Sequence, residues 1–157
     1  MRLRVPPKIK VLEAAGAIAD GRVHMTRGLT PDRFDATVVS SEGDRRYRVV
    51  IVKDKEGFRV YSDDNGTKLR GYVGYPILSV LMLSGLLPRD PEVESALKGI
   101  DWRKLNETYK KYSVVEEIVL SEASQAVPRE RIESFRKKVL AELSRANYLL
   151  DETLVKD

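Results

Sequence analysis

The sequence predicts an α+β fold: an antiparallel β-meander of three to five strands packed with helices, closing on a long C-terminal helix. Three observations predict it. Between residues 23 and 73, β-branched and aromatic runs are separated by polar turns of a few residues, which suits antiparallel neighbours because parallel strands need long crossovers. On either side of that block, apolar residues recur at helical spacing. The chain has 157 residues, 42% hydrophobic and 33% charged, enough to bury a core without staples.

The elements follow in order. Pro6 and Pro7 precede a helical run over 8–19, where Ile9, Leu12, Ala15 and Ile18 share a face and Asp20-Gly21 supplies the stop. Val23 and Met25 then alternate with His24 and Thr26, with Arg22 on the histidine's side. Residues 34–39 read as a second strand, 45–53 as the strongest, and 58–62 as its return across the turn Asp54-Lys55-Glu56-Gly57. Asp63-Asp64-Asn65-Gly66 reads as another turn and 67–73 as a fifth strand. The most apolar stretch, 77–87, lies between Pro76 and Pro88 and is about half the length needed to cross a bilayer, so a buried core helix is expected and no membrane partner. Short helices follow: one opened by Asp90-Pro91 and ended by Gly99, and one capped by Asp101 with Trp102, Leu105 and Tyr109 at helical spacing. Ser113 and Glu116 are spaced as a capping box for a helix over 114–123, although Val114, Val115, Ile118 and Val119 suit a strand equally. The last helix is expected over 128–150, roughly 34 Å long. Its stripe is Ile132, Phe135, Val139, Leu143, Ala146 and Leu150.

Charge is high and balanced, 28 Lys+Arg against 24 Asp+Glu, with one Gln and three Asn, the balance of a thermophilic protein. The net +4 is uneven: residues 1–27 and 45–75 each carry +4, while 28–44 carry −3. There is no cysteine, so disulfides and thiolate metal sites are excluded and a cytoplasmic location is expected. MRLRVPPKIK lacks the apolar core of a signal peptide. His24 is the one histidine, so a histidine-based triad or zinc site has nothing to build on; no catalysis, cofactor or metal is expected. Asp63-Asp64-Asn65-Gly66 lacks the spacing of a calcium loop.

The stretch RRYRVVIVKDKEGFRVY, residues 45–61, mixes arginine and tyrosine on adjoining strands. Guanidinium groups meet phosphate and flat rings stack on bases, so this composition points to single-stranded nucleic acid. The candidates are Arg45, Arg46, Tyr47, Arg48, Lys53, Lys55, Arg59 and Tyr61. Arg59 and Tyr61 share one strand face, and Tyr47 shares a face with Arg45 and Lys53. Gly71-Tyr72-Val73-Gly74-Tyr75-Pro76 turns from sheet to core helix without the spacing of a dinucleotide or P-loop motif; Tyr72 and Tyr75, with Lys68 and Arg70 just before, are second-rank candidates. The competing reading is a protein–protein interaction module whose basic sheet meets an acidic partner.

The basic meander 45–61, the segment GYVGYPILSVLML and the final run PRERIESFRKKVLAELSRANYLL resemble the archaeal single-stranded DNA-binding family called ThermoDBP and its relatives. The resemblance implies a cleft between sheet and helices that grips single strands, DNA before RNA, without sequence preference. It also implies a homodimer or higher homo-oligomer formed through the C-terminal helix. Residues 1–127 are then the nucleic-acid-binding α+β domain, and 128–157 the oligomerisation element carrying the stripe Ile132, Phe135, Val139, Leu143, Ala146 and Leu150.

Overall fold

A computed structural model describes residues 1–26 and 30–156. Turn lengths and side-chain alternation set its sheet. Strands β1 (Val23–Thr26), β2 (Arg33–Val39), β3 (Arg46–Asp54) and β4 (Gly57–Ser62) are joined in sequence and pair antiparallel, Val38 opposite Tyr47, Thr37 opposite Arg48, Val50 opposite Tyr61 and Val52 opposite Arg59. Ala36, Val38, Val49, Ile51 and Val60 point to one face, where all the long helices lie. A fifth strand, β5 (Tyr148–Leu150), completes the order β1-β2-β3-β4-β5 and runs parallel to β4. The parallel pairing is available because the intervening chain is a long helical crossover.

Helix α1 (Ile9–Ala19) is buried nearly all round and packs on α3 (Tyr75–Leu83), α4 (Pro91–Ala96) and α7 (Arg129–Leu143). The apolar α3 is the layer between α1 and the sheet, with Pro76 in its first turn. Asp90 and Asp101 cap α4 and α5 (Trp102–Tyr109) as the sequence indicates, accepting from the Val93 and Lys104 N–H groups. Residues 1–4 run along the open edge of β5, with Leu3 N–H donating to Tyr148 O (2.8 Å), and Arg4 bridges to Tyr72. No helix among the described residues is long and apolar enough to cross a membrane.

Four expectations are corrected. Residues 67–73 form no strand: Asp64 accepts the Thr67 N–H (3.1 Å) and caps a one-turn helix, α2 (Asn65–Lys68), where a hairpin turn was expected. The strand partner comes instead from β5. The box Ser113/Glu116 is not used, since α6 (Tyr112–Ala123) begins before Ser113. The last helix ends at Leu143, 15 residues and about 22 Å long, because the chain turns at Ser144–Asn147 to place Tyr148 beside Phe58, their rings stacked 5.0 Å apart. Finally, Ile132, Phe135, Val139 and Leu143 lie in the main core, with Ala146 and Leu150 packed against it. That stripe is consumed by the chain's own fold and does not face a partner copy. After residue 127 the chain adds α7 to the core and β5 to the sheet.

Candidate nucleic-acid interface

Strand alternation divides the predicted site residues between two faces. Arg46, Arg48, Val50 and Val52 face away from the helices, beside Arg59 and Tyr61 of β4. The sequence places Arg59 and Tyr61 in an open surface; the structure closes it. A short 3-10 helix (Glu152–Val155) folds over this face, and Leu154 joins Val50 and Tyr61 in a small second core that leaves Tyr61 8% exposed. Lys68 Nζ lies 5.2 Å from the Tyr61 ring centre. Arg59 is shared between Asp151 (3.0 Å) and Asp54 (3.5 Å). The reason is the C-terminal tail: Asp151 accepts from Thr153 N–H, and Arg33 Nη2 donates to Leu154 O at 3.2 Å.

Arg46 and Arg48 stay exposed and line a shallow groove of about 400 Å³ with Thr26, Asp35, Ala36 and Thr37, a groove without an aromatic ring. His24 is exposed on the same side, in the row Thr37–Arg48. Lys53 and Lys55 sit exposed at the far end of β3 and its turn, away from either groove. Arg45, Arg46, Arg48, Lys53, Lys55, Lys68 and Arg70 make no ion pair among the described residues.

The opposite side of the sheet holds a cleft of about 230 Å³, and here the second-rank candidates come together. Tyr47, on the helix-facing side of β3, meets Tyr75 edge-to-face at 6.3 Å. This separates Tyr47 from the outer arginines. Arg22 lies before β1 and turns inward, away from His24: its guanidinium sits 6.0 Å from the Tyr75 ring centre and its Nη1 donates to Val39 O at 2.8 Å. Helix α1 supplies Lys10 and Glu13, paired at 3.0 Å, and α5 supplies Trp102 and Asn106, whose Nδ2 donates to Glu13 Oε1 at 3.3 Å. Arg45 stands at the rim. Arg103 does too, but it is engaged with Asp44, Glu42 and Glu107.

Two close approaches hold the tyrosines in place. Asp64 accepts from Ser62 Oγ (2.5 Å) and Thr67 Oγ1 (2.9 Å), and Thr67 Oγ1 in turn accepts from Gly74 N–H (3.2 Å). A Cβ on Gly74 would stand 2.1 Å from Asp64 Oδ2, and one on Gly66 would stand 2.5 Å from the Tyr72 ring, so both positions require glycine. The backbone of 66–74 is thereby pulled against Asp64, and Tyr72 and Tyr75 project into the cleft. Burial pushes both phenols well above their ordinary range; Arg22 partly opposes this at Tyr75, and Tyr112 adds to it at Tyr72. Burial alone would lower Lys10, but the Glu13 charge and hydrogen bond, with Tyr112 and Asp64, leave it raised. The rings are neutral and the ammonium is charged near neutral pH.

Tyr72 also lines an adjoining groove of about 590 Å³ with Arg4, Val5, Pro6, Pro7, Arg70 and Tyr112. Arg4 Nη2 donates to Arg70 O, and Lys10 Nζ lies 5.2 Å from the Tyr112 ring centre. The two grooves thus form one band, with Arg4 and Arg70 at one end, Lys10 and Arg22 at the centre and Arg45 at the other. Of the predicted residues, the structure brings Arg45, Tyr47, Arg70, Tyr72 and Tyr75 to this band and leaves Arg46, Arg48, Lys53, Lys55, Arg59, Tyr61 and Lys68 off it. Sequence reading missed Arg4, Lys10, Glu13, Arg22, Asn106 and Tyr112. One signal was visible: a Lys-x-x-Glu pair inside the otherwise apolar run IKVLEAAGAIA.

Fold and site together define an α+β protein with a cation- and tyrosine-lined cleft on the helical side of a mixed five-stranded sheet. The chain belongs to the family described as uncharacterised conserved protein UCP014422, whose model matches residues 3–149 and so spans the whole cleft. No curated protein and no solved structure matches the chain.

Proposed function

We propose that this protein binds single-stranded nucleic acid without catalysing a reaction, and that the strand lies along the band from Arg70 to Arg45. The observation that carries this reading is the convergence of Tyr47, Tyr72, Tyr75 and Tyr112 with Lys10, Arg22, Arg45, Arg4 and Arg70 on two grooves that share Tyr72. Arg4, Arg45 and Arg70 have no carboxylate partner among the described residues and retain their attraction for phosphate, whereas Lys10 is paired with Glu13 (3.0 Å) and Arg22 with Asp20 (3.4 Å); rings presented at a groove offer bases a sequence-tolerant stacking surface. A binding role is further supported by the titrating groups. Tyr72 and Tyr75 are held protonated and Lys10 protonated, so none is poised as a base or nucleophile at neutral pH.

The test is fluorescence anisotropy with labelled single strands of about twenty nucleotides, DNA and RNA, at two salt concentrations. Binding at low salt that weakens linearly on logarithmic axes as salt rises is expected, because each neutralised phosphate releases counterion. Absence of binding at low salt sinks the reading. Arg45→Ala and Tyr47→Ala are expected to weaken binding while leaving the melting temperature close to that of the parent.

A further inference from the structure

Glu13 is a charged residue that the binding band, as described so far, does not need. It is 4% exposed, in the middle of a helix whose neighbouring positions are apolar, and it lines the cleft. Its Oε1 accepts from Lys10 Nζ (3.0 Å) and Asn106 Nδ2 (3.3 Å), while no hydrogen bond from the described residues reaches Oε2. Oε2 is not among the buried side-chain atoms left without a partner, so it stays open to solvent in the cleft. The other buried carboxylate at the cleft, Asp64, makes the contrast: both its oxygens are taken, by Ser62 and Thr67. Glu13 therefore offers an acceptor to whatever enters between the tyrosines.

The surroundings restrict the donor. A second cation is disfavoured, because the Lys10 ammonium already lies 3.0 Å from the same carboxylate. A neutral, flat group is favoured by the part-exposed rings of Tyr47 and Tyr75, and a volume of about 230 Å³ is below the ~300 Å³ at which drug-sized sites begin. Among nucleobases, guanine alone presents two adjacent N–H donors, N1–H and the N2 amino group, beside an acceptor, O6. Adenine and cytosine set an acceptor nitrogen next to their amino group, and thymine and uracil flank their single N–H with two carbonyls. Unpaired bases are read on this edge in single strands.

Resting on the reading of the band as a single-strand site, we infer that the cleft takes one unpaired guanine, with Glu13 Oε2 accepting from its N1–H and N2 amino hydrogens and Lys10 donating to its O6. The interface is thus not indifferent to sequence. Arginine and tyrosine along the band hold any strand, and the Lys10–Glu13 pair adds a preference at one nucleotide.

The experiment compares labelled oligo(dT) with the same strand carrying one central dG, dA, dC or deoxyinosine. The dG strand is expected to bind about fivefold more tightly than oligo(dT), the lower end of what a contact through two hydrogen bonds to a base edge discriminates. Deoxyinosine, which keeps N1–H and O6 but lacks the amino group, is expected to fall between them. Glu13→Gln should erase the dG preference, so that the dG and oligo(dT) strands bind alike whatever the shift in overall affinity from the freed Lys10; a melting curve checks its fold, and the base ranking of the unaltered protein decides the matter without the variant. Equal affinity for all five strands overturns the guanine site and leaves single-strand binding standing. If no strand binds at low salt but guanosine monophosphate does, and adenosine monophosphate does not, the guanine site stands on a free nucleotide and the strand reading falls. If neither strands nor guanosine monophosphate bind, both are overturned.

Discussion

The outer face of the sheet and the cleft on its helical side draw on the same residue types, arginine and tyrosine on neighbouring strands; both keep unpaired arginines, Arg46 and Arg48 outside and Arg45 at the cleft, and they differ in what happens to their rings and to Arg59. On the outer face Tyr61 lies under Leu154 and Arg59 is held by two aspartates. In the cleft and the groove beside it, Tyr47 and Tyr112 keep part of their rings in solvent, and Arg45 and Arg70 have no carboxylate partner among the described residues. An ion pair already made and a ring already covered have less to offer a ligand; the cleft holds both kinds too, the Lys10–Glu13 pair and Tyr72 at 7% exposed, so its claim rests on Arg45, Arg70, Tyr47 and Tyr112. Residue type along a strand is thus a weak guide to recognition; what decides is which rings the packing leaves uncovered and which charges the fold has already neutralised.

That contrast breaks first if the cleft is not a built feature. Gly74→Ala would drive a Cβ to 2.1 Å from Asp64 Oδ2, which accepts the Thr67 N–H, and 2.8 Å from Thr67 Oγ1, which donates to Asp64 Oδ1. A loss of about 2 kcal/mol or more is expected, measured by the urea midpoint, against less than about 0.5 kcal/mol for Arg48→Ala on the outer face. Equal midpoints for the two variants would mean that the Asp64–Thr67–Gly74 contact does not hold the tyrosines.

Next in size is binding itself. Tyr47→Ala and Tyr112→Ala are each expected to cost about 1–3 kcal/mol of single-strand affinity if each ring stacks on a base. Arg59→Ala should leave affinity within error. If Arg46→Ala and Arg48→Ala weaken binding as much as Tyr47→Ala, the strand runs over the outer groove and the contrast between the faces fails. Smaller again is a charge effect: Arg45→Ala or Arg70→Ala should reduce the slope of log K against log salt by about 1, uniformly across sequences.

Much of this architecture is legible in the chain. Strands β1 to β4 fall within a residue or two of their alternation, and Asp90 and Asp101 cap the helices they precede. Asp64 was misleading because a short Asp-Asn-Gly run suits a hairpin turn as well as a helix start, and only its contacts with Ser62 and Thr67 decide. Strand β5 was hidden because three residues carry no periodicity of their own. Ala146 and Leu150 also continue the helical stripe, while pairing with β4 is a long-range event. At the site, Tyr72 and Tyr75 were readable from their glycine-bracketed segment. Arg22, Asn106 and Tyr112 were not, since they meet Tyr75, Glu13 and Lys10 only after four helices and the sheet assemble. Arg59 and Tyr61 were overread for the converse reason: their cover is the last few residues of the chain.

That cover supplies the smallest effect and the sharpest probe of the outer face. Asp151 accepts from Thr153 Oγ1 (2.5 Å), Thr153 N–H (3.0 Å) and Arg59 Nη1 (3.0 Å). The Thr153 hydroxyl foremost, with the Thr153 N–H and Arg59, holds its carboxyl below the usual carboxylate range. A carboxylate with a lower pKa folded than unfolded adds stability that is complete above its ordinary value, near 4, and fades as pH falls through the folded value. The contact is close to the surface, so the contribution is at most about 1 kcal/mol. Protection of the 152–155 amides against hydrogen exchange should therefore decline below about pH 4 while that of β3 and β4 persists, and Asp151→Asn should show the acid level of protection at neutral pH. If Asp151→Asn also raises single-strand affinity, the tail is masking Arg59 and Tyr61 and the outer face is a second surface for the strand. If affinity is unchanged, the tail covers a face that is purely structural, and the cleft alone carries recognition.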